Sequence, residues 1–191
     1  MDELIAALRG GRPVLLPTDT VYGLVSLPSE SAVAALYELK GRRPEQPTAL
    51  LAASADQLVR AVPELDRSRL LRGPYTLVLP NPARRYPWLA GTREDTIGVR
   101  LPDLTPAAAA VLEAVGCVAA TSANDPGRRD PLTLGDVPQR LREACPSLDE
   151  GPLPGVPSTV VDLTGPEPLV LREGVVSAEE AVARVRAAQG Q

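Results

Sequence analysis

Two short polar motifs carry the residues best suited to chemistry: Lys40-Gly41-Arg42 and Ser122-Ala123-Asn124. Lys40 is the one lysine against nineteen arginines, so a compact ammonium stands where the chain otherwise always places a planar fork. A point charge and a bidentate guanidinium two residues apart, with glycine between, can converge on one polyphosphate. The same cluster also reads as a solvated basic loop at a helix C-terminus. Ser122 and Asn124 follow an apolar run, where open α/β sheets collect ligands beyond the carboxyl ends of their strands. Ser-Ala-Asn-Asp-Pro-Gly is equally good turn chemistry. Thr18-Asp19-Thr20 ends another apolar run and reads as a polar strand end or a helix cap. Arg100, between Val99 and Leu101, calls for an anion: a structural carboxylate or the carboxylate of a ligand. Ser158 opens one late strand and Arg172 closes another, both positions that ordinary turns and edges also fill.

The absences narrow the choice. There is no histidine, which excludes Ser-His-Asp and Cys-His catalysis, a histidine base and imidazole zinc ligands. The two cysteines, Cys117 and Cys145, form no CxxC pattern and no disulfide framework, which favours a reducing, cytoplasmic setting. Neither GxxxxGK[ST] nor GxGxxG occurs, so any nucleotide is held by other means. A net charge of −4 and five aromatic residues argue against a dedicated nucleic-acid binder. The N-terminal segment lacks the pattern of a secretory signal, and no apolar stretch is long enough to span a membrane.

These residues need elements to position them. Leu4, Ile5 and Leu8 predict a short helix closed by Gly10-Gly11. Val14–Leu16 reads as a strand, 29–39 as a helix capped by Ser29, and 40–47 as an exposed cationic loop. Further strands are expected at Ala49–Ala52, Tyr75–Leu79, Thr96–Leu101, Cys117–Ala120, Ser158–Leu163 and Leu169–Arg172, the last two as a hairpin across Gly165-Pro166. Helices are expected from Ser54 to Val62, over 105–115 with Thr105 as cap and Pro106 at its first position, over 135–145, and over 177–188. Early alternation with a late hairpin means an α/β fold with a mixed sheet, in one domain over 1–191.

Taken in order, six motifs resemble one family. They are Pro17-Thr18-Asp19-Thr20-Val21-Tyr22-Gly23-Leu24, Lys40-Gly41-Arg42, Thr96-Ile97-Gly98-Val99-Arg100-Leu101-Pro102, Ser122-Ala123-Asn124, Pro157-Ser158-Thr159-Val160-Val161-Asp162 and Arg172-Glu173-Gly174. They are similar to the YrdC-like threonylcarbamoyl-AMP synthases, and the resemblance spans about residues 3–188. It implies an open, twisted α/β sheet with a large concave cavity. It implies formation of threonylcarbamoyl-AMP and pyrophosphate from L-threonine, bicarbonate and ATP with Mg²⁺, for the threonylcarbamoyl-adenosine modification of tRNA by downstream transfer machinery. By the same resemblance Thr20, Arg100 and Ser158 surround threonine. Lys40, Arg42, Thr96, Ser122, Asn124 and Arg172 surround ATP, with Lys40 and Arg42 as the catalytic cations, and no protein side chain is expected as a dedicated metal ligand.

The chain departs from that family in places. Leu51 stands where many relatives have a histidine that helps to hold threonine, and Pro126 replaces a serine of the SANxSG pattern. No C-terminal accessory domain is expected. Two other readings use the same fold: a YciO-like relative of unsettled substrate, which shares most of the motifs, and a non-catalytic module binding structured RNA. The module would need Arg42-Arg43, Arg84-Arg85 and Arg128-Arg129 on one face.

Overall fold

A computed structural model describes residues 1–190. The helices are α1 (Asp2–Arg9), α2 (Glu30–Lys40), α3 (Ala55–Ala61), α4 (Pro106–Val115), α5 (Gln139–Ala144) and α6 (Ala178–Ala188). The strands are β1 (Val14–Pro17), β2 (Tyr22–Ser26), β3 (Ala49–Leu51), β4 (Tyr75–Pro80), β5 (Thr96–Arg100), β6 (Val118–Ser122), β7 (Thr159–Asp162) and β8 (Leu169–Arg172). All eight strands join one mixed sheet in the order β1-β2-β6-β3-β5-β4-β7-β8. The β3–β5 and β4–β7 pairs are parallel and the others antiparallel. The expected mixed α/β sheet is therefore present, and β7–β8 is the antiparallel pair read from the late sequence.

The helix boundaries follow local chemistry. Ser29, Ser54, Thr105 and Ser177 each accept a first-turn backbone N–H through the side chain, as N-caps should. Gly41 ends α2 in the left-handed region, φ 65°, which costs a glycine nothing and turns Arg42 off the helix axis. The predicted helix over 135–145 is corrected. A 3-10 turn at Leu134–Asp136 precedes α5, and Pro138 separates them because it has no N–H to donate. The cationic loop is also corrected at its first residue. Lys40 is the last residue of α2 and only 3% exposed.

β2 has no counterpart among the expected elements. Every one of its residues is buried, so the alternation that marks a half-exposed strand is missing. It pairs with β1 through a tight turn in which Thr18 Oγ1 accepts the backbone N–H groups of Thr20 (3.3 Å) and Val21 (3.2 Å).

Strand register divides the sheet into a filled face and a partly open one. On the filled face Ala119, Leu50, Val99, Leu77 and Val161 lie side by side across five strands, within the larger core to which α2, α3 and α6 contribute Leu36, Leu58 and Val185. On the opposite face α1 and α4 cover Val14, Leu16, Val25, Leu51 and Val118. The rest of that face stays open, and there the cavity forms.

Candidate active site

The open face holds a cavity of about 470 Å³, within the usual range for small-molecule sites. Its floor is the sheet itself. Ala120, Ala49, Gly98 and Val78 occupy consecutive strands, and each lines the cavity. Two residues along β5 from Gly98 lies Thr96 in one direction and Arg100 in the other, roughly 7 Å each way at the rise of a strand. The cavity is thus bounded by two polar ends.

At one end Arg100 donates through Nη2 to Asp19 Oδ1 (2.6 Å) and to Thr20 Oγ1 (3.2 Å). Both side chains of the ion pair are 10% exposed. Burial raises the Asp19 carboxyl above its ordinary range, opposed by the Arg100 charge. Arg100 Nε is buried and has no partner. The structural and ligand-binding readings of Arg100 are therefore compatible: one nitrogen is held by Asp19, and another remains free on a residue that lines the cavity. Thr76, one residue beyond the Leu77–Val99 pair of β4–β5, shares a hydrogen bond with Ser158 (Oγ1–Oγ 2.8 Å). Arg172 donates Nη2 to the Ser158 carbonyl at 2.9 Å, so it sits with Ser158 at this end. Leu51 pairs with Arg100 across β3–β5 and lines the cavity beside it.

At the other end Ser122, Thr96 and Arg42 line the cavity. Arg42 donates Nη2 to the Pro47 carbonyl (2.5 Å), and its Nε is buried without a partner. Thr96 Oγ1 donates to the Arg93 carbonyl (2.9 Å) and Ser122 Oγ to Asn124 Oδ1 (2.7 Å). Lys40 and Asn124 do not line the cavity; they brace it from behind. Lys40 Nζ donates to the Ser122 carbonyl at 2.6 Å and to both the carbonyl and Oδ1 of Asn124. The Asn124 amide in turn donates to the Arg128 carbonyl (2.6 Å) and Asp130 Oδ1 (3.0 Å). Burial, reinforced by Arg42, lowers the Lys40 pKa to about 8.

The electrostatics favour an anion. Burial lowers the pKa of Arg42, Arg100 and Arg172, and Arg172 adds like-charge repulsion to each of the other two. Among the described residues only Arg100 of these three has a carboxylate within salt-bridge distance. Three guanidiniums with one paired carboxylate form a receptor for negative charge. No described group of three or more cysteines and carboxylates could hold a metal ion, and Asp130 is the one carboxylate lining the cavity. Both cysteines are buried, and burial raises the Cys117 thiol to about 11, which removes it as a nucleophile.

Three participants carry no sequence signal strong enough to find. Thr76 reads as an ordinary polar position in an alternating strand. Asp130 lies in a loop rich in turn formers. Arg93, which lines the cavity, pairs with Asp162 (2.6 Å) sixty-nine residues away.

The family model for Sua5, YciO and YrdC, described as telomere recombination, matches residues 6–174. The chain belongs to the Sua5/YciO/YrdC family. A Mycobacterium tuberculosis protein of this family, provisionally named a threonylcarbamoyl-AMP synthase, is 37% identical over 185 residues, covering 92% of this chain and 84% of its own length. The Pyrococcus abyssi threonylcarbamoyl-AMP synthase is 34% identical over 91% of this chain, which spans 53% of that longer protein. The crystal structure of P. abyssi Sua5 with L-threonine matches 95% of the chain and 55% of its own, at a TM-score of 0.84 and 34% identity. E. coli YciO matches 92% of the chain and 89% of its own, at a TM-score of 0.78 and 26% identity. The open α/β sheet expected from the six motifs is thus the fold of the Sua5/YciO/YrdC family.

Proposed function

We propose that the protein joins L-threonine, bicarbonate and ATP into threonylcarbamoyl-AMP and pyrophosphate, the activated intermediate for tRNA threonylcarbamoyladenosine formation. The observation that carries this reading is the two-ended cavity. A buried guanidinium with a free Nε lies at one end and an arginine with no paired carboxylate at the other, along one strip of sheet. The Arg100 end suits an amino-acid carboxylate, with Thr20, Thr76 and Ser158 offering hydroxyls to the hydroxyl and amine. The Arg42 end suits phosphates, with Ser122 and Thr96 beside it.

The chemistry needs no protein nucleophile. The threonine amine and bicarbonate form a carbamate with loss of water. A carbamate oxygen attacks the α-phosphorus and pyrophosphate leaves. The protein supplies position and charge, which are the main sources of rate in phosphoryl and nucleotidyl transfer. Arg172, held beside Ser158 and within electrostatic reach of both Arg42 and Arg100, favours the transition state in which charge spreads between the two ends. A magnesium ion would be held by the phosphates and water, with Asp130 placed as its one protein carboxylate. It would supply charge neutralisation to the polyphosphate.

Lys40 acts one layer behind the phosphates, holding the 122–124 turn. For the RNA-module reading, Arg84 and Arg85 carry surface partners, Glu94 and Glu64, which offset part of their charge. No helix among the described residues is long and apolar enough to cross a membrane. We place the reaction in the cytoplasm, with a tRNA-modifying transferase as recipient of the adenylate.

The test is pyrophosphate release from purified protein with ATP, Mg²⁺ and bicarbonate. Release that depends on L-threonine and is absent with glycine or serine is the expected result. Release indifferent to the amino acid, or none with ATP bound, would overturn the threonine assignment and favour a YciO-like substrate.

A further inference from the structure

Gly98 sits in the middle of a central strand, where β-branched residues are the rule and glycine weakens the sheet. Its backbone does not require it, since its φ lies outside the left-handed region. Packing does not require it either. A methyl at Gly98 would lie 3.7 Å from Ala49 Cα, 3.8 Å from Ala49 Cβ and 3.8 Å from Thr76 Cγ2, all ordinary contacts. Gly174 is the contrast, because there a methyl would come within 2.1 Å of the Pro157 carbonyl. Gly98 is therefore a glycine that the fold tolerates without needing.

What a side chain at 98 would occupy is the cavity. Gly98 lines it, with Ala49 beside it on β3, Ala120 beyond Ala49 on β6, and Val78 bounding it on β4. These three small residues form a trough across β5, β3 and β6. The trough lies between the level of Thr96 and Ser122 and the level of Arg100 and Leu51. If one end takes the nucleotide and the other the amino acid, the atoms that must meet do so over the trough.

We propose that Gly98 is a positioning residue for the reaction. Its bare backbone lets the carbamate and the α-phosphate approach to bonding distance. This rests on the synthase reading given above. A methyl would lift the junction from the floor by more than an ångström while leaving each end free. Misplacement on that scale costs about 100-fold in rate.

The experiment compares wild type with Gly98→Ala and Gly98→Val. Melting temperature, ATP binding alone, threonine binding alone and threonine-dependent pyrophosphate release are measured for each. Gly98→Ala is expected to melt at or above the wild-type temperature, because alanine narrows the unfolded ensemble. Each substrate alone should bind within about threefold of wild type, while kcat falls by about 10- to 100-fold, and further in Gly98→Val. A wild-type kcat in Gly98→Ala overturns the proposal. So does a lowered melting temperature, which would make Gly98 structural, or an equal loss in one substrate's binding, which would make it an ordinary contact. If wild type itself shows no threonine-dependent release, the synthase reading fails instead. The two failures are thereby distinguished.

Discussion

Lys40 and Asn124 are joined across 84 residues of sequence: the lysine ammonium donates to both the side-chain and the main-chain oxygen of the asparagine. With the bond to the Ser122 carbonyl, it fastens the end of α2 to the turn after β6. Removing the ammonium leaves buried acceptors unsatisfied. Each such group costs roughly 1–3 kcal/mol. Lys40→Met keeps most of the side-chain volume and tests this directly. Melting should fall by roughly 2–10 °C in a chain of this size, and ATP affinity should fall with it as the Ser122 turn loosens. Lys40→Arg should not rescue either, because a planar guanidinium cannot place three donors in the space of one nitrogen. An unchanged melting temperature in Lys40→Met would remove the brace from the account.

The lowered pKa of Lys40, about 8 against an ordinary 10.5, gives a pH dependence with opposite signs for stability and binding. Below pH 8 the amine is charged in both folded and unfolded states, and the cost of burying the charge is present in full. Between 8 and 10.5 the folded state releases its proton first, so the unfolded state holds more protons. Lys40's own contribution to stability therefore rises with pH in that window. ATP binding should run the other way and weaken as pH passes 8, when a positive charge beside Arg42 is lost. Calorimetric titration of ATP from pH 6.5 to 9.5 checks this. The break near 8 should be present in wild type and missing in Lys40→Met.

Arg100 and Asp19 form the most buried ion pair among the described residues, each side chain 10% exposed. Taking away the carboxylate alone strands a buried guanidinium. Asp19→Ala should cost about 3–5 kcal/mol by denaturant midpoint. Arg100→Gln should behave differently. On the proposed synthase reading it removes the charge that would meet the amino-acid carboxylate, so the threonine KM should rise by more than tenfold with the ATP KM within about threefold. Equal effects on both KM values would place Arg100 in the scaffold alone.

What the sequence could reveal follows the range of the interaction. Caps at Ser29, Ser54 and Thr105 are local, and all three are where pattern places them. Strands β3, β4, β5, β6, β7 and β8 are flanked by turn residues and were legible to within a residue or two. β2 was not, because burial on both faces erases periodicity. In the site, Arg100 was legible as a charge in an apolar strand, but its partner Asp19 lies 81 residues away and no local rule links them. Lys40 shows the same limit more sharply. Its spacing from Arg42 suggests two cations side by side in solvent. The helix instead carries Lys40 inward, and only Arg42 emerges at the cavity. The bracing role exists only because β6 ends beside α2, a property of sheet order and not of spacing.

Arg42 and Arg172 face one cavity, repel each other and have no paired carboxylate among the described residues. Such an arrangement stores cost in the empty site and releases it when an anion arrives. Arg42→Gln loses the bond to the Pro47 carbonyl but relieves the repulsion, so the melting temperature should fall less than in Lys40→Met, while ATP affinity falls. A charge-assisted hydrogen bond lost to phosphate is about 1.5–3 kcal/mol, or roughly 10- to 150-fold in Kd. Arg172→Gln loses in addition its bonds to the Ser158 carbonyl, so it should weaken threonine binding as well as ATP binding. The double variant decides whether the two cations serve one phosphate chain. If they do, the second substitution costs less than it does alone, because the anion has already lost its fixed position. Strict additivity in ATP binding would mean two independent contacts, and would assign Arg172 wholly to the amino-acid end where the structure places its hydrogen bonds.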